Sequence, residues 1–589
     1  MRTNNNYYTF PLLSFAFICC HTLWAQEKGE EDDLGTQQVT VTKSYTPSLS
    51  DAFKLSTDEV STAALLPAAK ELQFKAQEIE VVSTFIPNKA TPLKLQRTVK
   101  QPSTNSQVSL GFGNLGQLLF DAAARARLDS QQALGLDVFV EREGNLPDGV
   151  VPSSRSQTNL AATHNFNTSQ FAAFHQMAYK AAGSHYYGLY PDDATVNDPL
   201  RNELLDFQQQ FYSVTAKSHW QWYDKWLERI HADLRYTGDL FGTTEQAAQV
   251  KANFRINLFN AYLDIRPQFD YLQTEFQQSY YTRDQQKFNQ TKAGVLVQLA
   301  DVRNKFKYKI GARAQYLMGD RNDNTPLLFI YPDVFLAYSD TNKKMQPYLK
   351  VGGNLRLNSY HSAFQQNPFV APTLELIPTD EKYKGELGFT TLFKSGIEFK
   401  LAGQYSQSDN FTLFQRYAFD PTVTENGYRL ANAFGWIYDT VTQYGARVGL
   451  RYKTKNQSEI QLNLRQNTYI LENQSQAWNL PDLEADFVAN IRLTSKVHWY
   501  FNAQFLGNRP AAYRPVLLQQ NPELNQPVLE NLTPVSMVKT EFSYRLYQQW
   551  YLFMRYRSVF GAQAFRWAYT PLNQNLFLVG GRYKLNLNL

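Results

Sequence analysis

The sequence predicts an all-β fold, a transmembrane antiparallel β-barrel of about 22 strands within a range of 18 to 24. Apolar and polar residues alternate with a period of two from Ser106 almost to the C-terminus, as in strands with two unlike faces. Short polar turns alternate with longer breaks, which is typical of membrane barrels. Aromatic residues make up 14% of the chain although its mean hydropathy is −0.45, so the composition is both aromatic and polar.

The alternation is clearest from Phe306 to Tyr316, where every second side chain is apolar and the opposite face carries lysine, arginine, glycine and glutamine. The last strand, from Phe577 to Leu589, divides in the same way. Further copies are Tyr444 to Lys453, Val250 to Leu258, Leu349 to Leu357, Ile460 to Gln466, Val497 to Phe505 and Trp550 to Phe560. A soluble sandwich would alternate too, so the spacing of the turns favours the barrel.

Ten short turns are expected, and they bound nine intervals of two strands each. Two strands before the first turn and two after the last bring the count to 22. Longer breaks lie between them, such as Ser359 to Thr379 and Asp420 to Asn432. The ten turns are predicted at Asp129-Ser130, Asn167-Thr168, Tyr223-Asp224, Arg266-Pro267, Arg303-Asn304, Asn342-Lys343, Lys394-Ser395, Asn456-Gln457, Thr494-Ser495 and Gln548-Gln549.

Residues 1–25 are predicted to be a signal peptide, because Arg2 precedes an apolar run and Ala25 offers a small residue for cleavage before Gln26. Cys19 and Cys20 would leave with it, so the mature chain is expected to have no disulfide framework. After the signal, no apolar run is long enough for a membrane-spanning helix. A membrane location would therefore require a closed barrel.

The mature chain changes character near residue 105. Residues 26–105 begin with an acidic run and contain scattered prolines, which predicts a short irregular N-terminal segment. Residues 106–589 carry the alternation and are predicted to form the barrel. An even strand count would leave both ends of the barrel in the periplasm, where the N-terminal segment would also lie.

Four stretches carry a family resemblance: residues 38–53 (QVTVTKSYTPSLSDAF), 110–116 (LGFGNLG), 184–188 (SHYYG) and 580–589 (GGRYKLNLNL). In these the chain resembles the barrel of TonB-dependent receptors of Gram-negative bacteria, and more narrowly receptor-related barrels whose plug domain is missing or shortened. Two features depart from that pattern. The segment before the barrel, about 80 residues, is short for a plug, and the final residue is Leu589 instead of an aromatic residue. The resemblance implies a bacterial outer-membrane location, contact with outer-membrane lipid, and a periplasmic arm or reduced plug at residues 26–105.

The resemblance also implies a TonB box, a short extended segment just inside the mature N-terminus. The matching residues are Gln38, Val39, Thr40, Val41 and Thr42. Such a segment would add as a strand to a TonB-type periplasmic protein through main-chain hydrogen bonds. The alternative is an ordinary short strand.

The predicted lumen face is basic. Its arginines include Arg313, Arg447, Arg451, Arg555 and Arg557, all opposite apolar residues. A focused positive field would favour anionic solutes or an acidic plug surface. The alternative is that inward acids such as Asp233 and Glu398, together with loop carboxylates, pair these arginines.

A lumen enclosed by about 22 strands would leak if it were open, so something is expected to fill it. The candidates are the segment 26–105, long loops folded inward, or a partner protein.

No cofactor, metal site or catalytic motif is predicted, and an enzyme is not expected. Gly111, Gly113 and Gly116 imitate a dinucleotide fingerprint, but a lone match without helix–strand alternation is weak. The histidines show no metal-ligand spacing, and a formal charge of +5 gives no reason to expect nucleic acid. Two functions are favoured, with an enzyme of the membrane surface ranked far behind both. One is TonB-linked uptake of an unidentified ligand, and the other is a plugless scaffold that holds lipoproteins or assists assembly or export at the outer membrane.

Overall fold

The structure, a computed structural model of the chain, describes residues 105–147, 151–189, 205–259, 261–303, 305–320, 327–339, 345–393, 395–420, 423, 425–454, 458–513 and 528–587. The predicted signal peptide, the segment 26–104 and the TonB-box-like stretch from Gln38 to Thr42 lie outside these residues.

Strands account for most of the described chain. The first half of the wall comprises β1 (Ser106–Gly113), β2 (Leu118–Arg127), β3 (Gln132–Glu143), β4 (Arg155–Asn167), β5 (Phe171–His185), β6 (Gln208–Trp222), β7 (Leu227–Asp239), β8 (Thr244–Leu258), β9 (Ala261–Phe276), β10 (Gln286–Arg303) and β11 (Phe306–Gly319). The second half comprises β12 (Leu328–Tyr338), β13 (Met345–Arg356), β14 (Thr379–Leu392), β15 (Ile397–Arg416), β16 (Phe434–Lys453), β17 (Glu459–Leu471), β18 (Leu483–Arg492), β19 (Val497–Leu506), β22 (Val535–Tyr547), β23 (Trp550–Phe560) and β24 (Leu576–Leu585). A separate hairpin consists of β20 (Arg509–Tyr513) and β21 (Val528–Leu532).

Within the described residues, 22 strands form one antiparallel sheet in sequence order, with β19 pairing β22 around the small hairpin. The sheet closes because β1 pairs β24, with Gly111 opposite Gly580. The predicted antiparallel barrel and its count of 22 strands are confirmed.

The two faces of the wall differ as the alternation predicts. On β11 the apolar residues Phe306 and Ile310 are 60% and 53% exposed, while Arg313 on the opposite face is ion-paired. Arg555 of β23 lies 3.6 Å from Glu141 of β3, although β24, β1 and β2 separate these strands in the sheet. Contact over three strands requires the concave side. The charged face therefore lines the lumen and the apolar face forms the outer surface.

Turns and loops lie at opposite ends of the barrel. One end, here the turn end, has short connections such as those between β2 and β3 or between β22 and β23. The other end, the loop end, has long connections. These contain helix α1 (Tyr360–Gln366), a short 3-10 helix (Gly427–Arg429) and the β20–β21 hairpin.

Seven of the ten predicted turns fall in sequence between successive described strands, and two more begin on the last residue of a strand, Asn167 of β4 and Arg303 of β10. The turn predicted at Arg266-Pro267 is wrong. β9 runs through both residues, and the chain turns before β9 begins. Proline suggested a turn because it lacks an N–H donor. The pairing between β8 and β9 lapses at Ala252, opposite Pro267, and at Asn253, opposite Arg266, so the ladder tolerates the missing donor.

Glycines are required where the barrel closes. A Cβ atom on Gly580 would lie 2.3 Å from the carbonyl oxygen of Leu110 and 2.4 Å from Cζ of Phe553. Gly111 sits in β1 beneath the same phenylalanine ring, and Gly116 has a φ of 64° in the turn after β1. The Gly111-x-Gly113-x-x-Gly116 spacing therefore belongs to the closing seam of the barrel.

Among the described residues, no helix is both long and apolar enough to cross a membrane.

Candidate functional site: a loop cap above a charged lumen

Loops from five hairpins pack together over the barrel mouth. They are the described residues of 186–207, 277–285, 357–378, 417–433 and 561–575, and together they are called the loop cap. Because these hairpins stand at separate points of the wall, their contacts cross the mouth. A hydrophobic cluster joins them to the rim, and its members include Tyr186, Leu205, Tyr280, Tyr360, Phe369, Val370, Leu374, Phe419, Leu430 and Trp567. The loop cap thus has a core of its own.

Arg416, the last residue of β15, joins three segments of the loop cap. Its Nε donates to the carbonyl of Ala431 at 2.6 Å and its Nη1 to that of Ala568 at 3.1 Å. Its Nη2 donates to the carbonyl of Gly188. The side chain is 2% exposed. Hydrogen bonds from a buried charged donor are stronger than neutral ones, so a single cation fastens three loops.

Arg429, also 2% exposed, joins a further pair of loops. Its Nη1 donates to the carbonyl of Tyr280 at 2.6 Å, and its Nη2 donates to Oε1 of Gln278 at 2.9 Å. Asp420, within the same loop as Arg429, lies 3.4 Å from Nη1 and balances the charge. The segment 277–285 is thereby tied to the segment 417–433.

Helix α1 is fastened to the wall by a buried carboxylate. Glu245 of β8 is fully buried and accepts hydrogen bonds from the backbone N–H of Tyr360 at 2.6 Å and of His361 at 3.3 Å. Arg235 of β7 lies 3.1 Å from the same carboxylate. The hydroxyl of Tyr360 donates to Asp239 at 2.8 Å. The first N–H groups of a helix have no acceptor within the helix, so the Glu245 carboxylate of the wall accepts their hydrogen bonds.

Two stacked tyrosines connect further loops. The rings of Tyr280 and Tyr417 are 4.0 Å apart and nearly parallel. Tyr280 donates its hydroxyl hydrogen to the carbonyl of Ala418 at 3.0 Å, and Tyr417 donates to that of Thr373 at 3.3 Å. Burial raises the pKa of both phenols above the ordinary value. Both hydroxyls therefore stay protonated and keep donating.

The five arginines predicted on the lumen face each contact a carboxylate. The pairs are Arg313 with Asp333 at 2.9 Å, Arg447 with Glu386 at 3.5 Å, Arg451 with Glu459 at 2.6 Å, Arg555 with Glu541 at 2.9 Å, and Arg557 with Glu143.

The two acids named from the sequence are not the partners of these arginines. Asp233 instead contacts His219 at 3.1 Å, and Glu398 contacts Lys400 at 3.1 Å. Pairing depends on which strand follows which and in what register, and the alternation alone does not specify either.

The residues that hold the loop cap were not predicted from the sequence. Arg416, Arg429 and Glu245 look like ordinary charged residues near strand ends. One available signal was the density of aromatic residues in the long breaks, since solvated loops seldom need them. In the described ranges, no group of three or more His, Cys, Asp or Glu side chains is arranged to hold a metal ion.

Several solved structures share this fold. The FrpB iron transporter from Neisseria meningitidis matches with a TM-score of 0.59 and 8% identity over 82% of this chain and 83% of that one. The siderophore receptor PirA from Acinetobacter baumannii gives 0.58 and 8%, over 82% and 80%. The ferric enterobactin receptor from Pseudomonas aeruginosa gives 0.53 and 11%, over 82% and 81%. No protein-family model matches the chain, and no curated protein sequence does so significantly.

The fold and the outer surface define the class of protein. A closed antiparallel barrel of 22 strands with an apolar outer face is an outer-membrane barrel, and this protein lies in the bacterial outer membrane. The predicted resemblance to receptor barrels holds at the level of the fold. Short turns of such barrels face the periplasm, so the turn end is periplasmic and the loop cap is extracellular.

Proposed function

We propose that the protein is a receptor-type outer-membrane transporter that takes up a ligand with help from a TonB-type periplasmic protein. The observation that carries the proposal is the loop cap, which crosses the mouth of a lumen as wide as that of plugged receptors. A cap of hydrogen-bonded loops closes such a lumen from outside and can open locally without unfolding the wall. The similar barrels are described as an iron transporter and a siderophore receptor, and the proposal extends uptake, without the ligand, to this chain.

In this proposal, residues 1–25 direct export and residues 26–105 form a periplasmic arm or reduced plug. Gln38 to Thr42 would pair with the TonB-type protein as an added strand. Strand addition needs main-chain N–H groups, so proline at Val39 and Val41 would abolish it, whereas threonine would preserve both the N–H groups and the β-branched shape.

A scaffold that holds lipoproteins or assists assembly or export is the second candidate. One observation favours it: the loop cap is packed and hydrogen-bonded like a folded domain. A permanently closed barrel would suit a partner bound to its rim or its outer surface.

One experiment separates the two functions. The full-length protein is isolated from gently solubilised outer membranes, and the co-purifying proteins are identified and quantified. If the protein is a transporter, a TonB-type partner should co-purify with the wild type and with Val39→Thr/Val41→Thr. It should be lost with Val39→Pro/Val41→Pro. Stoichiometric lipoproteins or assembly factors without any TonB-type partner would overturn transport and support the scaffold.

A further inference from the structure

Two histidines lie side by side on the outer face of the wall. His164 of β4 pairs with His175 of β5, and His175 pairs with Ser218 of β6. These three side chains form one line across adjacent strands, here called the imidazole row. The two imidazole rings are stacked, with their centroids 5.8 Å apart. Cross-strand pairing from β5 to β11 places His175 on the side opposite Arg313, which lines the lumen, so the imidazole row faces the membrane.

An aromatic band lies between the imidazole row and the periplasmic turns. It consists of Phe166, Phe171, Trp220 and Trp222. Its successive rings are 5.4 to 6.0 Å apart. On the other side of the row, the outer face is apolar, with Leu160, Met177 and Val214 exposed. Aromatic girdles mark the interfaces of a membrane, so the imidazole row lies at the edge of the hydrocarbon region. Polar side chains facing hydrocarbon are costly, and residues kept there point to a function.

A chain of hydrogen bonds fixes the proton of His175. Trp220 donates its indole N–H to Oγ of Ser218 at 2.9 Å, and this Oγ lies 3.0 Å from Nδ1 of His175. The serine hydroxyl therefore has its own hydrogen to donate to Nδ1, and a neutral imidazole that accepts at Nδ1 carries its hydrogen on Nε2. Among the described residues, Nε2 of His175 has no hydrogen-bond partner. Its N–H is a donor at the edge of the membrane.

A second contact between an indole and a hydroxyl group on the outer face ends differently. Trp499 donates to Oγ1 of Thr540 at 2.8 Å, and Thr540 donates its own hydrogen to the main-chain carbonyl of Tyr500 at 3.2 Å. That chain of hydrogen bonds closes on the backbone and leaves no donor over. The chain on β6 ends instead on an imidazole N–H, which needs an acceptor from outside the wall.

We propose that the imidazole row binds one glycerophospholipid of the periplasmic leaflet through its phosphate diester. Lipids of that leaflet bring phosphate and ester oxygens, which are acceptors, to the edge of the hydrocarbon region. His175 donates from Nε2, and a hydrogen bond to a charged oxygen is stronger than a neutral one. The indole N–H of Trp222 forms no hydrogen bond within the described residues and adds a donor nearer the turns. His164 contacts Oε1 of Gln132 through Nε2 at 3.3 Å and orients the neighbouring ring.

The test is native mass spectrometry of the purified full-length protein, delipidated in detergent and titrated with one lipid at a time. The probes are phosphatidylglycerol, phosphatidylethanolamine and dioleoylglycerol, which lacks the phosphate. The wild type is expected to retain one phospholipid with either headgroup and not to retain dioleoylglycerol. Loss of the hydrogen bond to the phosphate should weaken phospholipid binding about tenfold in His175→Phe. His164→Phe keeps an aromatic ring in the stack and should weaken it less.

Thr540→Val is the matched control, because it removes the hydroxyl of the other indole contact on the outer face. It should leave phospholipid binding unchanged. Phenylalanine suits a position that faces the membrane, so His175→Phe should keep or raise the temperature at which the barrel unfolds on gels, which separates lipid binding from folding. Equal retention of dioleoylglycerol and phospholipid by the wild type, or unweakened binding in His175→Phe, overturns the proposal. Displacement of the lipid by excess inorganic phosphate would assign the row to a free anion. Unchanged lipid binding with loss of a co-purifying protein in His175→Phe would assign it to a protein partner; either result overturns the proposal.

Discussion

The loop cap and the lumen wall place arginine in two different kinds of contact. Arg416, at the edge of the loop cap, and Arg429, within it, are almost fully buried and donate chiefly to main-chain carbonyls of other loops. On the wall, Arg313 and Arg451 are partly exposed and contact carboxylates on an adjacent strand. Wall strands already satisfy their backbone through the ladder, whereas loops do not. In the loop cap, arginine therefore supplies hydrogen-bond donors to main-chain carbonyls that no strand partner satisfies. On the wall, it sets the local charge.

The largest expected effect comes from breaking the loop cap at Arg416. Arg416→Ala removes three charge-assisted hydrogen bonds, each worth about 1.5–3 kcal/mol, and leaves buried carbonyls without donors. The loop cap should lose at least about 4 kcal/mol of stability and open while the barrel stays folded. Limited proteolysis should then cleave within 417–433, and planar bilayers should show larger conductance than with the wild type.

Arg283→Ala is the control for that variant, since Arg283 is 46% exposed and lies 3.5 Å from Asp420. It should behave like the wild type. Heat-dependent mobility on gels checks that both variants retain the barrel. Unchanged protease resistance in Arg416→Ala would contradict a fastening role for this residue.

A smaller effect, confined to the wall, is expected at the closing seam. Gly580→Ala places a methyl group against the Leu110 carbonyl and the Phe553 ring, and overpacking of this kind costs about 1–3 kcal/mol. Gly581→Ala is a matched control because a Cβ atom there meets nothing within 4 Å. The temperature at which the barrel unfolds on gels should fall for Gly580→Ala alone, with the loop cap still resistant to protease below it. Equal melting of the two variants would refute the steric account of this seam.

The smallest expected effect is a loss of loop-cap stability at high pH, where the buried phenol of Tyr417 loses its proton. The pKa of Tyr417 is raised by burial above its ordinary value of 10.0, so its contribution to stability is fully present below pH 10 and is lost as pH rises towards the folded-state pKa. Subtracting the tyrosinate absorbance titration of Tyr417→Phe from that of the wild type isolates this group. The difference should appear only above pH 10. A midpoint at pH 10 or below would mean that the phenol is solvated.

The wall was largely predictable from the sequence because one physical rule governs it. Successive residues on β11 or β16 face lipid and lumen in turn. A period of two therefore reveals the strand without any knowledge of its neighbours. The wrong turn at Pro267 arose because the prediction used local sequence without knowledge of the neighbouring strand. Local sequence marks proline as a turn former, but the lapse in pairing that accommodates it belongs to the adjacent strand.

The loop cap could not be predicted in this way. Its segments have no period, and the partners of Arg416 lie 15, 152 and 228 residues away along the chain. Such contacts depend on where the barrel carries each hairpin, which follows from closure of the whole sheet. Inward-folded loops were one of three predicted ways to fill the lumen. The described residues of the loop cap pack together across the extracellular mouth, but nothing in the sequence selected this packing.

The hydrogen bond from Nε of Arg582 to Oγ of Ser109 joins residues 473 positions apart. The pairing of β1 with β24 around it is the most non-local contact of the wall, and contacts of that kind form slowly. Until the last strand docks, the growing sheet presents two unpaired edges that can capture any other extended chain. Biogenesis of this protein therefore requires protection of both edges until translation and export of the final strand are complete.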